Sequence, residues 1–295
     1  MQLGYFPNID DFLGTRQTRY FGDGYLKSSQ AIRDFQLTGR LDVVEFTCLG
    51  SVKLPEVWSQ KGETLQVPHS STIDVIEFAL EAVRLFHGWS RRTEELTIDR
   101  IQSISIVAGK TPVEDDLAAV RITGRVHKAD DGLEVMDLVV ANMDVTIKLR
   151  PGIATGRKLT LSRKPVRLDH VMLNTSEMRA SALATSDSSD PAEAWSLAGS
   201  FACTLQLGQL LLYTLDDVTR ATSNTLWMKR TEITFGDVVP CIGPVQPIHA
   251  YLDDVLKYEK PDGVWRRANG CAAICNVHIT CRVTHRLPTP TLTLQ

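Results

Sequence analysis

The stretch from Pro68 to Trp89, PHSSTIDVIEFALEAVRLFHGW, limits the possible folds more than any other. Its apolar side chains fall on two helical rows, Ile73, Ile76, Leu80, Val83 and Trp89 on one, Val75, Phe78, Ala82 and Leu85 on the other. Only Asp74, Glu77, Glu81 and Arg84 form a charged stripe, at i, i+3, i+7 and i+10 spacing. A helix with so little polar surface has to be enclosed by other elements. Ser71 is placed as its N-cap with Asp74 three residues on, close to a capping box, and Gly88 is placed to end it.

The rest of the chain supplies material to enclose it. With 295 residues there is room for one large domain or two of about 150. Hydrophobic residues make up 43% and charged ones 23%, enough for a sizeable core. The net charge of −3 is interspersed, with no basic block or basic helix face, which argues against nucleic acid or a membrane surface as partner.

Between Glu193 and Asp216 there is no charged residue, a run long enough to span a bilayer. Ser196, Ser200, Thr204, Gln206, Gln209 and Thr214 interrupt it, which suits a helix buried in protein and no membrane span. The N-terminal residues lack a basic n-region and an apolar h-region, so no signal peptide is expected.

Six cysteines, Cys48, Cys203, Cys241, Cys271, Cys275 and Cys281, follow no C-x-x-C spacing. Cys271, Cys275 and Cys281 with His278 invite a zinc reading. On one continuous strand, however, the three thiols share a parity and His278 takes the other, whereas tetrahedral ligation needs convergent ligands. No metal and no cofactor are expected, and the thiols read as reduced, in a cytoplasmic protein.

Taken in order, residues 1–40 read as an arm pinned by Phe6, Phe12, Tyr20, Phe21 and Tyr25. Residues 41–150 give a strand (Leu41–Leu54), the helix, and strands at Ile98–Ala108, Ala118–Lys128 and Leu133–Leu149. Residues 151–175, with Arg157, Lys158, Arg163 and Lys164, read as a solvated crossover, an approach to a phosphate-bearing partner being the rarer meaning. Residues 176–295 repeat the order: a strand at Glu177–Thr185, a helix Ala192–Leu215 opened by Asp190-Pro191 with Glu193, and strands at Thr222–Phe235, Val245–Tyr258 and Trp265–Arg286. One enclosed helix per set of long antiparallel strands predicts an α+β double hotdog, a sheet packed on a central helix twice over. Ferredoxin-like repeats need two helices per unit and only one is strong in each half.

A helix N-terminus offers unpaired N–H groups and a positive dipole end that hold a developing oxyanion. His69, just before the first helix, is a candidate general base, and Asp74 a candidate to orient it or bond substrate. The plainer readings are a loop histidine and an acid offsetting the dipole. Ser70, Ser71 and Thr72 are capping residues or substrate ligands. On the second helix Trp195, Gln206 and Gln209 share a row with Gly199 and Ala202, and the glutamines either bond within the protein or bind a polar substrate. Glu177, His249 and His278 are isolated polar residues in strands. No G-x-S-x-G, P-loop or Rossmann pattern is present, nor the H-x-x-x-G-x-x-x-x-P of hotdog dehydratases.

IDDFLG at Ile9–Gly14, RYFGDGY at Arg19–Tyr25 and PHSSTID at Pro68–Asp74 resemble the avirulence protein D (AvrD) family, over most of the chain. That resemblance implies a part in making secreted signals of the syringolide type, by joining a β-ketoacyl chain from a carrier-protein thioester to a sugar such as xylulose. The A-factor synthase family of double-hotdog proteins is similar in outline, with a three-carbon phosphate acceptor. The expected partners are an acyl carrier protein or coenzyme A thioester and a sugar or polyol, with a homodimer compatible. Thioester hydrolysis or dehydration is the rival chemistry. A non-catalytic acyl binder is the third reading, if Trp58, Trp89 and Trp195 fill the cleft.

Overall fold

A computed structural model describes residues 3–38, 44–89, 97–151, 161, 163–190, 195–236 and 243–288. Two long helices dominate, α2 (Thr72–Trp89) and α3 (Leu197–Leu215), with one short turn of helix, α1 (Asp10–Leu13), near the start. The strands in chain order are β1 (Leu3–Asn8), β2 (Ser29–Leu37), β3 (Val44–Lys53), the two-residue β4 (Gln60–Lys61) and β5 (Thr64–Leu65), β6 (Ile101–Val107), β7 (Val120–Lys128), β8 (Glu134–Val140) and β9 (Met143–Leu149). They continue with β10 (Val166–Asn174), β11 (Arg179–Ser186), β12 (Trp227–Phe235), β13 (Val245–Lys260), β14 (Gly263–Ile274) and β15 (Val277–Arg286).

Thirteen strands make one antiparallel sheet in the order β1-β10-β11-β13-β14-β15-β12-β6-β9-β8-β7-β3-β2, while β4 and β5 form a separate ribbon. Counting outward from the β12–β6 pair, the sequence of elements is the same on both sides: β6-β9-β8-β7-β3-β2 and β12-β15-β14-β13-β11-β10. Helix α2 packs on β2 and β8, and α3 on β10, β11, β13 and β14. A long buried helix against antiparallel strands is a hotdog-like arrangement.

Two strands of the segment read as an arm, β1 and β2, belong to the sheet. β1 pairs with β10 (Tyr5 opposite Met172), and β2 pairs with β3 (Ile32 opposite Gly50). The aromatic residues seen in the sequence anchor these returns: Tyr25 is fully buried, and Phe6 meets Phe12 edge-on at 5.4 Å between ring centroids.

Twelve of the 18 residues of α2 are buried, which accounts for its two apolar rows. Two details differ from the sequence reading. The helix runs through Gly88 to Trp89, and Trp89 is 63% exposed. The charged stripe is also divided: Glu81 and Arg84 pair toward solvent, but Asp74 and Glu77 are buried.

What faces those two acids is Arg163, from the segment read as a solvated crossover. Its Nε donates to Glu77 Oε1 at 3.0 Å, and its other nitrogens reach the Ser28 carbonyl and hydroxyl at 3.0 Å, the Tyr25 carbonyl and Gln30 Oε1. The Gln30 amide in turn donates to Asp74. A buried carboxylate needs such a partner, and this one is supplied from 86 residues away. Of the other basic crossover residues, Arg157 and Lys158 lie outside the described residues.

Helix α3 begins later than expected. Its N-cap is Ser196, whose hydroxyl accepts from Gly199 N–H at 3.0 Å; residues 191–194, which carry most of the other start signal, lie outside the described residues. Fifteen of its 19 residues are buried. Its hydroxyls are tolerated there because Ser200, Thr204 and Thr214 donate back to the carbonyls of Ser196, Ser200 and Leu210. Among the described residues no helix is long and apolar enough to cross a membrane.

Two expected single strands are hairpins. The run 133–149 folds back at Ala141-Asn142, with Ala141 at φ +55°, and the run 265–286 folds back at Cys275-Asn276, with Cys275 also at +55°. Each turn inverts the parity that a continuous strand would keep. Val139 is therefore 42% exposed while Leu138 and Val140 are buried. In the second hairpin Ala272 and Ile274 face the core and Cys271 is half-buried, so the parity argument about the cysteines fails.

Cys48, Cys203, Cys271 and Cys281 are free, but Cys275 is disulfide-bonded, against the expectation of reduced thiols throughout; Cys241 lies outside the described residues. Among the described residues no group of three or more His, Cys, Asp or Glu side chains is arranged to hold a metal. A Cβ at positive φ is strained, so Ala141→Gly is expected to stabilise the protein by about 0.5–1 kcal/mol. An unchanged or lower midpoint in thermal denaturation rules out strain at this turn.

The end of α3 carries a second buried ionic group. Asp216 accepts from Arg266 Nε and Nη2 at 2.8 and 2.6 Å and from His285 Nε2 at 2.9 Å, and His285 is fully buried. Burial by itself raises a carboxyl pKa, yet here the hydrogen bonds and charges of His285 and Arg266 prevail and hold Asp216 below its ordinary 3.8. A depressed carboxyl stabilises the fold above its unfolded pKa, and the gain disappears as pH falls through the folded value. Asp216→Asn should therefore cost stability at neutral pH, with the cost shrinking below about pH 4. Urea midpoints that differ equally at pH 7 and pH 3 contradict this.

Candidate active site

A cavity of about 500 Å³ lies at the N-terminus of α2. One wall is the chain entering that helix, His69, Ser70, Ser71 and Thr72; the opposite wall is a face of α3, Thr204, Leu205, Gly208, Gln209 and Leu212. Gly208 helps create the space, since a Cβ there meets nothing within 4 Å. Trp58, Leu65 and Val67 cover it from the β4–β5 segment, and Leu226, Trp227, Met228 and Val283 extend the apolar lining.

The start of α2 is a full capping box. Ser71 Oγ accepts from Asp74 N–H at 3.2 Å, and Asp74 Oδ2 accepts from Ser71 N–H at 2.7 Å and from Ser71 Oγ–H at 2.8 Å. Tyr20, another wall residue, places its hydroxyl 2.5 Å from Ser71 Oγ. Because the Ser71 proton is committed to Asp74, Tyr20 is the donor in that contact. The cap satisfies the Ser71 and Asp74 amides, and Ser70 N–H goes to the Val113 carbonyl at 2.9 Å. The amides of Thr72 and Ile73 stay as first-turn donors with no acceptor inside the helix.

His69 is half-buried on the cavity wall, its ring 4.5 Å from that of Trp58. Its Nδ1 lies 3.0 Å from the Val67 carbonyl oxygen. A carbonyl only accepts, so Nδ1 carries the proton and the neutral ring keeps its lone pair on Nε2.

The remaining candidates divide. Gln209 lines the cavity. Asp74 does not; it is fully buried, bonded to Ser71 and Gln30, and makes no contact with His69, so it does not orient that ring. Burial raises its pKa, opposed by the Ser71 hydrogen bonds and the Arg163 charge. Gln206 also lies behind the wall, accepting from Arg19 Nη1 at 3.0 Å and donating to the Ala202 carbonyl. Trp195 packs in the core of the other half with its Nε1 3.3 Å from the Gly243 carbonyl. Of Trp58, Trp89 and Trp195 only Trp58 borders the cavity, beside Trp227, and Trp89 faces solvent, so the three do not plug it. Glu177 is in an exposed ion pair with Arg179, and His249 and His278 are exposed on strands.

The sequence reading missed Arg19, Tyr20, Lys61 and Arg220, all on the cavity wall. Arg19 and Tyr20 stand inside the RYFGDGY motif; Lys61 and Arg220 lie in segments with no local pattern.

The sequence matches the family of the Pseudomonas avirulence D protein (AvrD) over residues 4–160 and 171–288. Among curated proteins none matches. Solved structures similar to this chain include a conserved hot dog fold protein of unknown function from Alicyclobacillus acidocaldarius (10% identity, TM-score 0.45, covering 88% of this chain and 97% of that one). They also include the dehydratase domain from the CurF module of curacin polyketide synthase (10%, 0.45, 85% and 97%) and a putative thioesterase II from Thermobifida fusca YX (8%, 0.43, 87% and 96%). The family match spans nearly the whole chain, and the protein belongs to the AvrD family.

Proposed function

We propose that this protein is an acyltransferase that joins a β-ketoacyl group, delivered as a carrier-protein or coenzyme A thioester, to a hydroxyl of a sugar or polyol. The observation that carries the reading is the apolar cavity opening on the first turn of α2 beside His69. The acyl chain lies along Leu205, Gly208 and Leu212, with its carbonyl oxygen toward the Thr72 amide and the positive end of the helix. The acceptor hydroxyl gives its proton to His69 Nε2 as its oxygen bonds to the carbonyl carbon. When the C–S bond breaks, the same proton passes to the departing thiolate. Tyr20, Ser71 and Asp74 hold the helix start rigid.

The equal strand order on the two sides of β12–β6, with one long buried helix per side, supports the finer reading of the fold as a double hotdog. Membership of the AvrD family supports a place in the biosynthesis of a small-molecule signal of the syringolide type.

The test is incubation with β-ketoacyl thioesters and a panel of sugars, read by mass spectrometry. An acyl–sugar adduct is the expected product; free acid with every acceptor makes the protein a hydrolase instead. Gly208→Phe, which points a ring into the open space, should abolish adduct formation while the protein stays folded. Full activity in that variant removes the cavity from the reaction.

A further inference from the structure

The cavity wall carries a cluster of cations, Arg19, Lys61 and Arg220. Arg220 lies between two other cations: its Nη2 is 3.4 Å from the Thr18 carbonyl, next to Arg19, and 3.2 Å from Ser59 Oγ, while Nη1 donates to the Gln60 carbonyl, next to Lys61. Lys61 Nζ crosses the other way, to the Ser223 carbonyl and hydroxyl at 3.3 Å and the Asn224 carbonyl at 2.8 Å. Three segments far apart in sequence thus bring three cations to one part of the wall.

Their partners are the informative part. Among the described residues Lys61 and Arg220 contact only carbonyl and hydroxyl oxygens, and no carboxylate. Arg19 has Asp10 and the neutral Gln206, and its Nε, buried, has no partner among the described residues. Three positive charges therefore share one contacting carboxylate in a half-enclosed, low-dielectric place, an arrangement that repels itself unless an anion joins it. Burial first, and then Arg220, brings Lys61 down to about 8; burial, opposed by the Asp10 charge and reinforced by Arg220 and Arg16, brings Arg19 down to about 10. Lysine 229 adds a fourth cation to the lining and Glu114 the single carboxylate.

We infer that Arg19, Lys61 and Arg220 form a subsite on the cavity wall for a phosphoryl group of the substrate. A tetrahedral dianion suits converging guanidinium and ammonium donors, and an uncharged sugar gives them nothing to neutralise. The inference rests on the acyl-transfer reading for the identity of the ligand, and two substrates can bring the group: a phosphorylated acceptor, or the phosphopantetheine arm of the thioester donor.

Isothermal titration on the full chain separates these, with glycerol 3-phosphate against glycerol for the acceptor and 4′-phosphopantetheine against pantetheine for the donor. At least one phosphorylated probe should bind tenfold or more tightly than its plain counterpart, and the pair that shows the gain identifies the source. Arg220→Gln should remove most of the gain and Arg220→Lys retain part of it; circular dichroism and melting establish that both fold. Arg19→Gln is the second removal, for the case in which Arg220→Gln unfolds.

Equal affinity within both pairs, or a gain that survives Arg19→Gln and Arg220→Gln, overturns the subsite. A β-ketoacyl N-acetylcysteamine thioester, which has no phosphate, is assayed in parallel on the unaltered protein with an unphosphorylated sugar. Turnover there, alongside equal affinities, leaves the acyltransferase standing and removes only the anion subsite. Phosphate discrimination without turnover does the reverse.

Discussion

His69→Ala is expected to lower kcat/KM for acyl transfer by about two to four orders of magnitude, the usual worth of a positioned acid–base group. The protein should still fold, because the ring is half-buried and bonds only the Val67 carbonyl two residues away. His69→Gln, which keeps a polar side chain of similar reach but no ring nitrogen to take the proton, separates loss of a base from loss of a wall: it should be as inactive as His69→Ala. Near-normal turnover in either variant moves the base to another residue. Asp74→Ala is a different experiment from the one the sequence suggests. Asp74 does not reach the cavity, so its removal acts through the helix cap, lowering stability and activity together.

Arg163→Met should destabilise the fold by about 3–5 kcal/mol, the cost of stranding a buried charge. At the roughly 2–4 °C per kcal/mol expected for a chain of this size, the melting temperature falls by about 10 °C. The guanidinium is the partner of Glu77 and, through Gln30, of Asp74, so its loss leaves two buried carboxylates without a counter-charge. Both already have raised pKa values, burial being the larger cause. A carboxyl with a raised folded pKa binds its proton more tightly in the folded than in the unfolded chain, so acid favours folding. The deficit of Arg163→Met should therefore narrow as the pH is lowered toward that raised value. Adding Glu77→Gln should recover part of the loss, read as a coupling energy in a double-mutant cycle. A deficit unchanged by pH and by Glu77→Gln refutes the ion-pair account.

Short-range features were legible in the residues alone. The capping box of Ser71 and Asp74 is an i, i+3 arrangement, and it forms as the spacing says. The two apolar rows of α2 and the uncharged run of α3 announce enclosed helices, and the alternation Met143, Val145, Ile147, Leu149 marks the buried face of β9. His69, Ser70, Ser71, Thr72 and Gln209 line the cavity for the same reason: a helix terminus or a helix face places them there.

The failures share a cause as well. The turns at Ala141-Asn142 and Cys275-Asn276 have no glycine at their positive-φ positions, because strand pairing on both sides forces a conformation the residue itself resists. Arg163 read as solvated because its acids lie in another segment, and whether Trp195 and the glutamines meet the cavity or the protein stayed open because helical spacing does not say which face meets the space; Gln206 bonds within the protein. Periodicity and capping are properties of neighbours along the chain, and they were enough to specify two buried helices and long antiparallel strands. The meeting of residue 19 with residues 61 and 220, and the pocket it borders, arise from contacts between distant segments, which leave no repeat in the sequence and exist only once the sheet has closed.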